Sequence, residues 1–434
     1  MSKKVAICTL GCKVNTYESE AVRQQFEKHG YTSVDFSECA DVYIINTCTV
    51  THLGDRKSRQ MIRRTKQINP ESILVVMGCY SQVSPDDVAK IEEVDIVVGT
   101  AYKARIYDAV AEFIENREKQ NLVTDISKTT DFEELEVTSY EGRTRAILKI
   151  QDGCNNFCSY CIIPYARGRI RSRNIESCVR EAERLASHGF CEIVLVGIHI
   201  ASFGRDTGEK LIDLLSNLDA IDGIERIRIG SLEPTLFDDE FTEKISKLSK
   251  ICRHFHLSLQ SGCDETLKRM NRKYTTADYM ASVKRIRKFF PDAAITTDIM
   301  VGFPGETDEE FENTMNFVRK VSFAEAHIFK YSIRKGTVAE KMENQIDAQV
   351  KEERSKKLIS LTDGTRDGFL ETFVGKTVGV LFERERKDKA GTYEGKTDNY
   401  VTVVAPSRHD ISGKILNVKV LKIKDSIAYG EIVE

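Results

Sequence analysis

The sequence predicts an α/β chain of three units: an N-terminal doubly wound parallel α/β domain, a central partial (β/α)6 barrel, and a C-terminal small all-β barrel. Three observations predict it. Short β-branched runs alternate with amphipathic helical stretches in the first quarter. About six strand-plus-helix units follow in the middle, and the last stretch holds only alternating strand patterns between Gly-rich turns. At 434 residues the chain exceeds what one hydrophobic core organises, so several domains are expected.

Residues 1–117 carry strand-like runs at Val5–Leu10, Val42–Thr47, Ile73–Gly78 and Asp95–Gly99, with helical periodicity at Glu18–His29 and Arg56–Gln67 between them. Residues 118–143 are polar and acid-rich and are expected to form a linker. A second α/β region over 144–366 opens with the strand Arg145–Ile150. Further strands are expected at Ile193–Gly197, Arg226–Ser231, Phe255–Gln260, Ile295–Gly302 and Ala326–Ser332, and residues 350–366 form a charged helical connector. The loop Gly302–Thr307 either walls a ligand or makes a tight turn, with Glu306 and Thr307 placed to start a helix. Residues 367–434 form the all-β unit, with strands at Thr377–Phe382, Tyr400–Val404, Lys414–Ile423 and Ile427–Val433.

Composition narrows the function. A net charge of −3 excludes a protein that coats nucleic acid by bulk charge, so any RNA contact uses local patches. No run of eighteen apolar residues and no signal-peptide pattern occurs, so no membrane partner is expected. Twelve cysteines with few close pairings suit a reducing compartment, and the expected location is cytoplasmic.

The chemistry sits in Cys154-Asn-Asn-Phe-Cys158-Ser-Tyr-Cys161. Three thiolates hold three irons of a [4Fe–4S] cluster and leave the fourth iron open for a chelating ligand such as S-adenosylmethionine (SAM). Structural zinc competes for such a motif, but it wants four ligands, and no further Cys or His follows before Cys178 and His188. Cys12, Cys48 and Cys79 each fall just after one of the first three strands, so a parallel sheet gathers them at its ligand-binding edge. They form either a second three-thiol cluster site or small buried hydrophobes. Cys8, Cys39, Cys178, Cys191, Cys252 and Cys263 are expected to be structural.

Arg167, Arg169, Arg171 and Arg173 alternate. If extended, they share one face and either grip phosphate or the SAM carboxylate, or pair with barrel acids. Arg167, Arg169 and Arg171 are RNA-binding candidates, as are Lys414, Lys419, Lys422 and Lys424 of the C-terminal unit, whose other reading is a solvated strand edge. Tyr160 and Tyr165 flank the cysteine loop, either as a base platform or as packing. Glu233, Gln260 and Asp298, at expected strand ends, and Arg173 are candidate SAM contacts.

The segments Thr9–Asn15, Asn46–Val50, Gly78-Cys79 and Cys154 through Gly168 resemble the radical-SAM methylthiotransferase family over nearly the whole chain. Gly-Cys-Lys-Val-Asn and Ile-Ile-Pro-Tyr-Ala-Arg-Gly look most like its branch acting on N6-threonylcarbamoyladenosine (t6A) of tRNA. The resemblance implies an N-terminal methylthiotransferase domain, a radical-SAM domain and a TRAM domain. It also implies two [4Fe–4S] clusters and SAM as cofactors, the auxiliary cluster on Cys12, Cys48 and Cys79. The implied reaction replaces the C2 hydrogen of t6A at position 37, in the tRNA anticodon stem-loop, with a methylthio group. An electron donor such as flavodoxin or ferredoxin is implied, and the sulfur donor is not identified. The alternatives are the same chemistry on N6-isopentenyladenosine-37 or on a ribosomal-protein aspartate, and, further off, a non-catalytic iron–sulfur carrier.

Overall fold

The computed structural model describes residues 2–49 and 52–433. Val50, which closes the second cysteine motif, lies outside the described residues. Six parallel strands form the N-terminal sheet in the spatial order Thr32–Val34, Lys4–Thr9, Val42–Thr47, Ile73–Gly78, Ile96–Val98, Gln120–Asn121. Helices cover both faces, so alternate residues of one strand enter different cores: Ile44, Val75 and Met77 on one side, Tyr43, Ile45 and Val76 on the other. Burial on both faces is why these strands read as continuous apolar runs. Strand order reverses between Lys4–Thr9 and Val42–Thr47, the kind of switch point beyond whose strand carboxyl ends such sheets bind ligands.

The central unit is an arc of six parallel strands. Arg145–Lys149, Glu192–Val196 and Arg226–Ile229 pair in one set, and His254–His256, Ala294–Val301 and Glu325–Lys330 in another. Parallel bridges from Ile227 to Ile251 and from Leu232 to Leu257 join the sets. The arc is the partial barrel the sequence predicts. Its core takes in Val14, Tyr17 and Ala21 of the first helix, Lys13–Lys28, so the N-terminal and central units share a packed interface.

The stretch 118–143 departs from the expected linker. Gln120–Asn121 adds the edge strand to the N-terminal sheet, and Leu135, Val137 and Tyr140 are buried in the barrel core. Gln24 fastens it further, donating from Nε2 to the Ser139 carbonyl at 2.7 Å and accepting from the Thr138 N–H at 2.9 Å. The sheet of the first domain therefore runs past residue 117. The connector helix runs Ala348–Glu371, past the expected boundary at 366.

Five strands close the C-terminal barrel: Thr377–Glu385, Thr392–Thr397, Thr402–Pro406, Ile427–Ile432 and Ile415–Lys424, the second not anticipated from sequence. Closure leaves no strand edge unpaired. This unit docks where the central strands begin. Arg228 donates from Nε to Glu192 at 2.7 Å and from its terminal nitrogens to the carbonyls of Asp398 at 2.8 Å and Thr397 at 3.1 Å. The Tyr400 ring lies beneath that guanidinium and stacks on His254. Among the described residues, no helix is long and apolar enough to cross a membrane.

Candidate functional site: two thiol triads across a buried charge network

Cys12 ends the turn after the first strand and is the N-cap of helix Lys13–Lys28. Cys48 follows Val42–Thr47, and Cys79 opens the helix Cys79–Val83 directly after Ile73–Gly78. The sheet thus carries all three to one edge. Gly11 and Gly78 sit at φ +103° and +101°, a region closed to other residues without strain. A Cβ on Gly11 would stand 2.8 Å from Cys48 Cβ, and one on Gly78 would stand 2.5 Å from Asn46 Oδ1, so the close approach needs glycine at both. Asn15 Nδ2 donates to the carbonyls of Leu10 at 2.7 Å and Thr47 at 3.0 Å, locking the exits of the two strands that flank the switch point.

Cys154, Cys158 and Cys161 lie on the loop after Arg145–Lys149 and Gln151–Asp152. Phe157 adopts φ +47°, and the Cys154 N–H donates to the Gly168 carbonyl at 3.1 Å, which coils the loop upon itself. The short helix Ile163–Arg167, with Pro164 in its first turn and Gly168 at its C-cap, continues it.

Each triad offers three thiols within electrostatic reach of one another, the donor set that a three-thiolate cluster takes. Among the described residues, no three His, Cys, Asp or Glu side chains gather as ligands of one ion. In a cubane each thiolate takes its own iron, so the thiols need only surround the cluster. Five of the six other cysteines are engaged elsewhere. Cys8 packs on the N-terminal core, Cys178 and Cys252 are buried elsewhere, Cys191 donates to the Gly413 carbonyl, and Cys263 donates to Glu265. Burial pushes the thiols of Cys79 and Cys154 up to about 11 and that of Cys161 up to about 12, so metal must displace their protons.

Between the triads lies a network the sequence did not reveal. Arg167 donates from Nε to Cys79 Sγ at 3.3 Å, to both Glu18 oxygens at 2.5 and 3.1 Å, to Asn15 Oδ1 at 2.6 Å and to Asp152 at 3.2 Å. Lys149 bridges Glu18 at 2.8 Å and Asp152 at 2.6 Å. Burial alone would raise the Glu18 carboxyl, but Arg167, Lys103 and Lys149 outweigh it and hold it at about 2.

The arginine row is therefore corrected. It is not one extended face, because Arg167 ends a helix and only Arg171–Ser172 is strand. Arg167, Arg171 and Arg173 are 0, 3 and 1% exposed. Arg171 donates to the carbonyls of Arg167 and Arg169, and Arg173 pairs with Glu181 at 2.6 Å and Glu134 at 3.0 Å. Arg167 and Arg171 are thus removed from any RNA surface, and Arg173 from the SAM contacts. Arg169 alone is exposed, its guanidinium over the Phe157 ring at 4.8 Å, with Tyr165 set edge-on to that ring. Tyr160 packs against Phe303.

Glu233 stands beside the cysteine loop. It accepts from Asn156 Nδ2 at 2.8 Å, lies 3.0 Å from His199 Nε2 and pairs with Arg272 at 3.2 Å. Arg272 in turn donates to Cys158 Sγ at 3.4 Å. Asn156, His199 and Arg272 escaped the sequence reading, although Asn156 lies inside the cysteine motif. Asp298 is mid-strand rather than at a strand end, 3.2 Å from His256 Nε2, and its carbonyl accepts from the Gln260 N–H. Gly302–Thr307 makes a tight turn: Glu306 accepts from the Gly302 N–H and from Arg354, and Thr307 caps the next helix. Lys414, Lys419, Lys422 and Lys424 are exposed along or beside the strand Ile415–Lys424.

Comparison with known proteins agrees with this architecture. Family models match the Radical SAM superfamily at 148–318, the Uncharacterized protein family UPF0004 at 4–99 and the TRAM domain at 371–433. The chain is 45% identical to the threonylcarbamoyladenosine tRNA methylthiotransferase MtaB of Bacillus subtilis, covering 96% of this chain and 94% of that protein. It is 39% identical to MtaB of Aquifex aeolicus, over 96% and 99%. It is 38% identical to the tRNA-2-methylthio-N(6)-dimethylallyladenosine synthase of Pelotomaculum thermopropionicum, over 96% and 95%. In fold it is similar to the radical S-adenosylmethionine methyltransferase TsrM of Kitasatospora setae, with TM-score 0.57 and 16% identity over 76% of this chain and 75% of that one. With two thiol triads on the matched N-terminal and central domains and a closed barrel behind them, the chain belongs to the radical-SAM methylthiotransferase family.

Proposed function

We propose that Cys154, Cys158 and Cys161 hold one [4Fe–4S] cluster and Cys12, Cys48 and Cys79 a second, and that the protein places a methylthio group on C2 of t6A at position 37 of tRNA. The observation that carries this reading is the contact from Arg167, which follows the central triad, to Cys79 of the N-terminal one, which brings the segments bearing the two triads together. Identity to the two MtaB proteins supports t6A over the dimethylallyl nucleoside.

Carbon 2 of adenine is neither acidic nor nucleophilic, and the clusters with SAM supply the one-electron chemistry its substitution needs. The chain's own groups bind and orient. Glu233, fixed by Asn156, His199 and Arg272, stands beside the Cys154–Cys161 loop, where it would accept a hydrogen bond from SAM bound there. Gln260 and Asp298, joined by the Gln260 N–H to the Asp298 carbonyl, are further candidates to meet SAM. Arg169 and Tyr165, exposed at that loop, meet the anticodon stem-loop, and Lys414, Lys419, Lys422 and Lys424 meet its phosphates. The setting is the cytoplasm, with a flavodoxin- or ferredoxin-like protein as electron donor.

Single alanine changes at the six cysteines test the assignment. Cys12→Ala, Cys48→Ala and Cys79→Ala should abolish methylthiolation and keep 5′-deoxyadenosine release, whereas Cys158→Ala should lose both. Loss of SAM cleavage in the first three, with the central triad's iron intact, would refute the division of labour.

A further inference from the structure

The hydrogen bonds of the buried network point to a role for Arg167 that its ion pairs leave open. Around it, Lys103, Lys149, Arg167 and Arg171 meet the carboxylates of Glu18, Asp152 and Glu133. That is one more cation than anion, in a place where Arg167, Glu18 and Lys103 are fully buried. The Cys79 sulfur, 3.3 Å from Arg167 Nε, is the acceptor this network turns toward the N-terminal triad. Arg167 is also held rigidly. Its terminal nitrogens are taken by Glu18, Asn15 and Asp152, which leaves Nε–H for the sulfur. Asn15, in turn, fixes the strand exits on which Cys12 and Cys48 sit.

We propose that Arg167 is the positioning residue that joins the two triads: a charge-assisted N–H···S bond from the helix after Cys161 fixes the Cys79 sulfur and raises the reduction potential of the group bound there. Hydrogen bonds and positive charge at a ligating sulfur stabilise the reduced, more negative state. The inference rests on the N-terminal triad being a cluster site.

The test uses the full chain carrying Cys154→Ala, Cys158→Ala and Cys161→Ala, loaded anaerobically with iron and sulfide, so that any bound cluster reports the N-terminal triad. Iron content and an EPR-monitored redox titration are compared with the same chain carrying Arg167→Gln or Arg167→Lys. Arg167→Gln should shift the reduction equilibrium at least tenfold toward the oxidised form, about 59 mV for one electron. Arg167→Lys, which keeps the charge and loses the Nε–H, should fall between. Loss of the cluster from a folded Arg167→Gln chain also supports the role. An unchanged potential with the cluster retained overturns it. Should both variants fail to fold, 15N-arginine labelling of the parent chain decides. A hyperfine coupling from one arginine nitrogen to the reduced cluster supports the bond, and its absence overturns it. A parent chain that binds no iron removes the cluster-site assignment itself, and this inference with it.

Discussion

Glu18 and Lys149 meet at 2.8 Å, one from the first helix of the N-terminal domain and the other from the first barrel strand, both almost wholly buried. The pair welds two domains at the point where their cysteine loops approach. Removing the Glu18 charge leaves Lys149, Arg167 and Lys103 buried with one carboxylate fewer among them, Asp152 and Glu133 remaining, and breaking a buried pair costs about 3–5 kcal/mol. Glu18→Gln should lower the unfolding free energy of the metal-free chain by about that amount, read by denaturant titration. A change below about 1 kcal/mol would show that the network adds no such coupling.

Gly11→Ala should disable the N-terminal triad alone. The residue sits at φ +103°, and the new methyl would meet Cys48 Cβ at 2.8 Å. Iron bound by the full chain should fall by about half on reconstitution, since one of two equal clusters is lost. Retention of full iron would show that the turn relaxes freely.

Arg228→Ala should loosen the C-terminal barrel. It removes the donors to the Thr397 and Asp398 carbonyls and leaves Glu192 buried, with only Arg226 at 3.7 Å. The expected outcome is an earlier, separate unfolding transition for residues 371–433 and faster proteolysis near Glu371, at a cost of about 3–5 kcal/mol.

Stability should fall in mild acid through His254. Burial, reinforced by the nearby charges of Arg228, His256, Lys13 and Lys396, holds its imidazole well below the ordinary histidine value of about 6.5. The folded state therefore stays neutral where the unfolded chain takes up a proton, so this contribution is present above pH 6.5 and shrinks as pH drops below it. His254→Phe, which keeps a ring on Tyr400, should flatten the acid slope by about 1.4 kcal/mol per pH unit.

Changing Lys419, Lys422 and Lys424 together to alanine should weaken tRNA binding without altering SAM cleavage. The slope of log affinity against log salt should drop by about one per lysine that meets a phosphate. An unchanged slope would place the RNA contact elsewhere.

Much of this was legible in the sequence because it is local. Strand exits at Cys12, Cys48 and Cys79 follow from apolar runs ending in a turn, and the spacing of Cys154, Cys158 and Cys161 needs no fold at all. What stayed hidden depends on distant partners. The alternation at 167–173 reads as one face only if the segment is extended, but Pro164 and Gly168 frame a helix that swings Arg167 inward to Glu18, far away in sequence. The acid-rich stretch 118–143 masked Leu135 and Val137, whose alternation with Glu136 and Thr138 was a strand-like signal that the surrounding charge outweighed.

The most direct test of the whole account is nucleoside mass spectrometry on t6A-bearing tRNA after anaerobic incubation with the reconstituted protein, SAM and a strong reductant. The account requires a methylthio adduct on t6A. Release of 5′-deoxyadenosine with t6A unchanged, and the adduct found instead on the dimethylallyl nucleoside or on a protein, would contradict it.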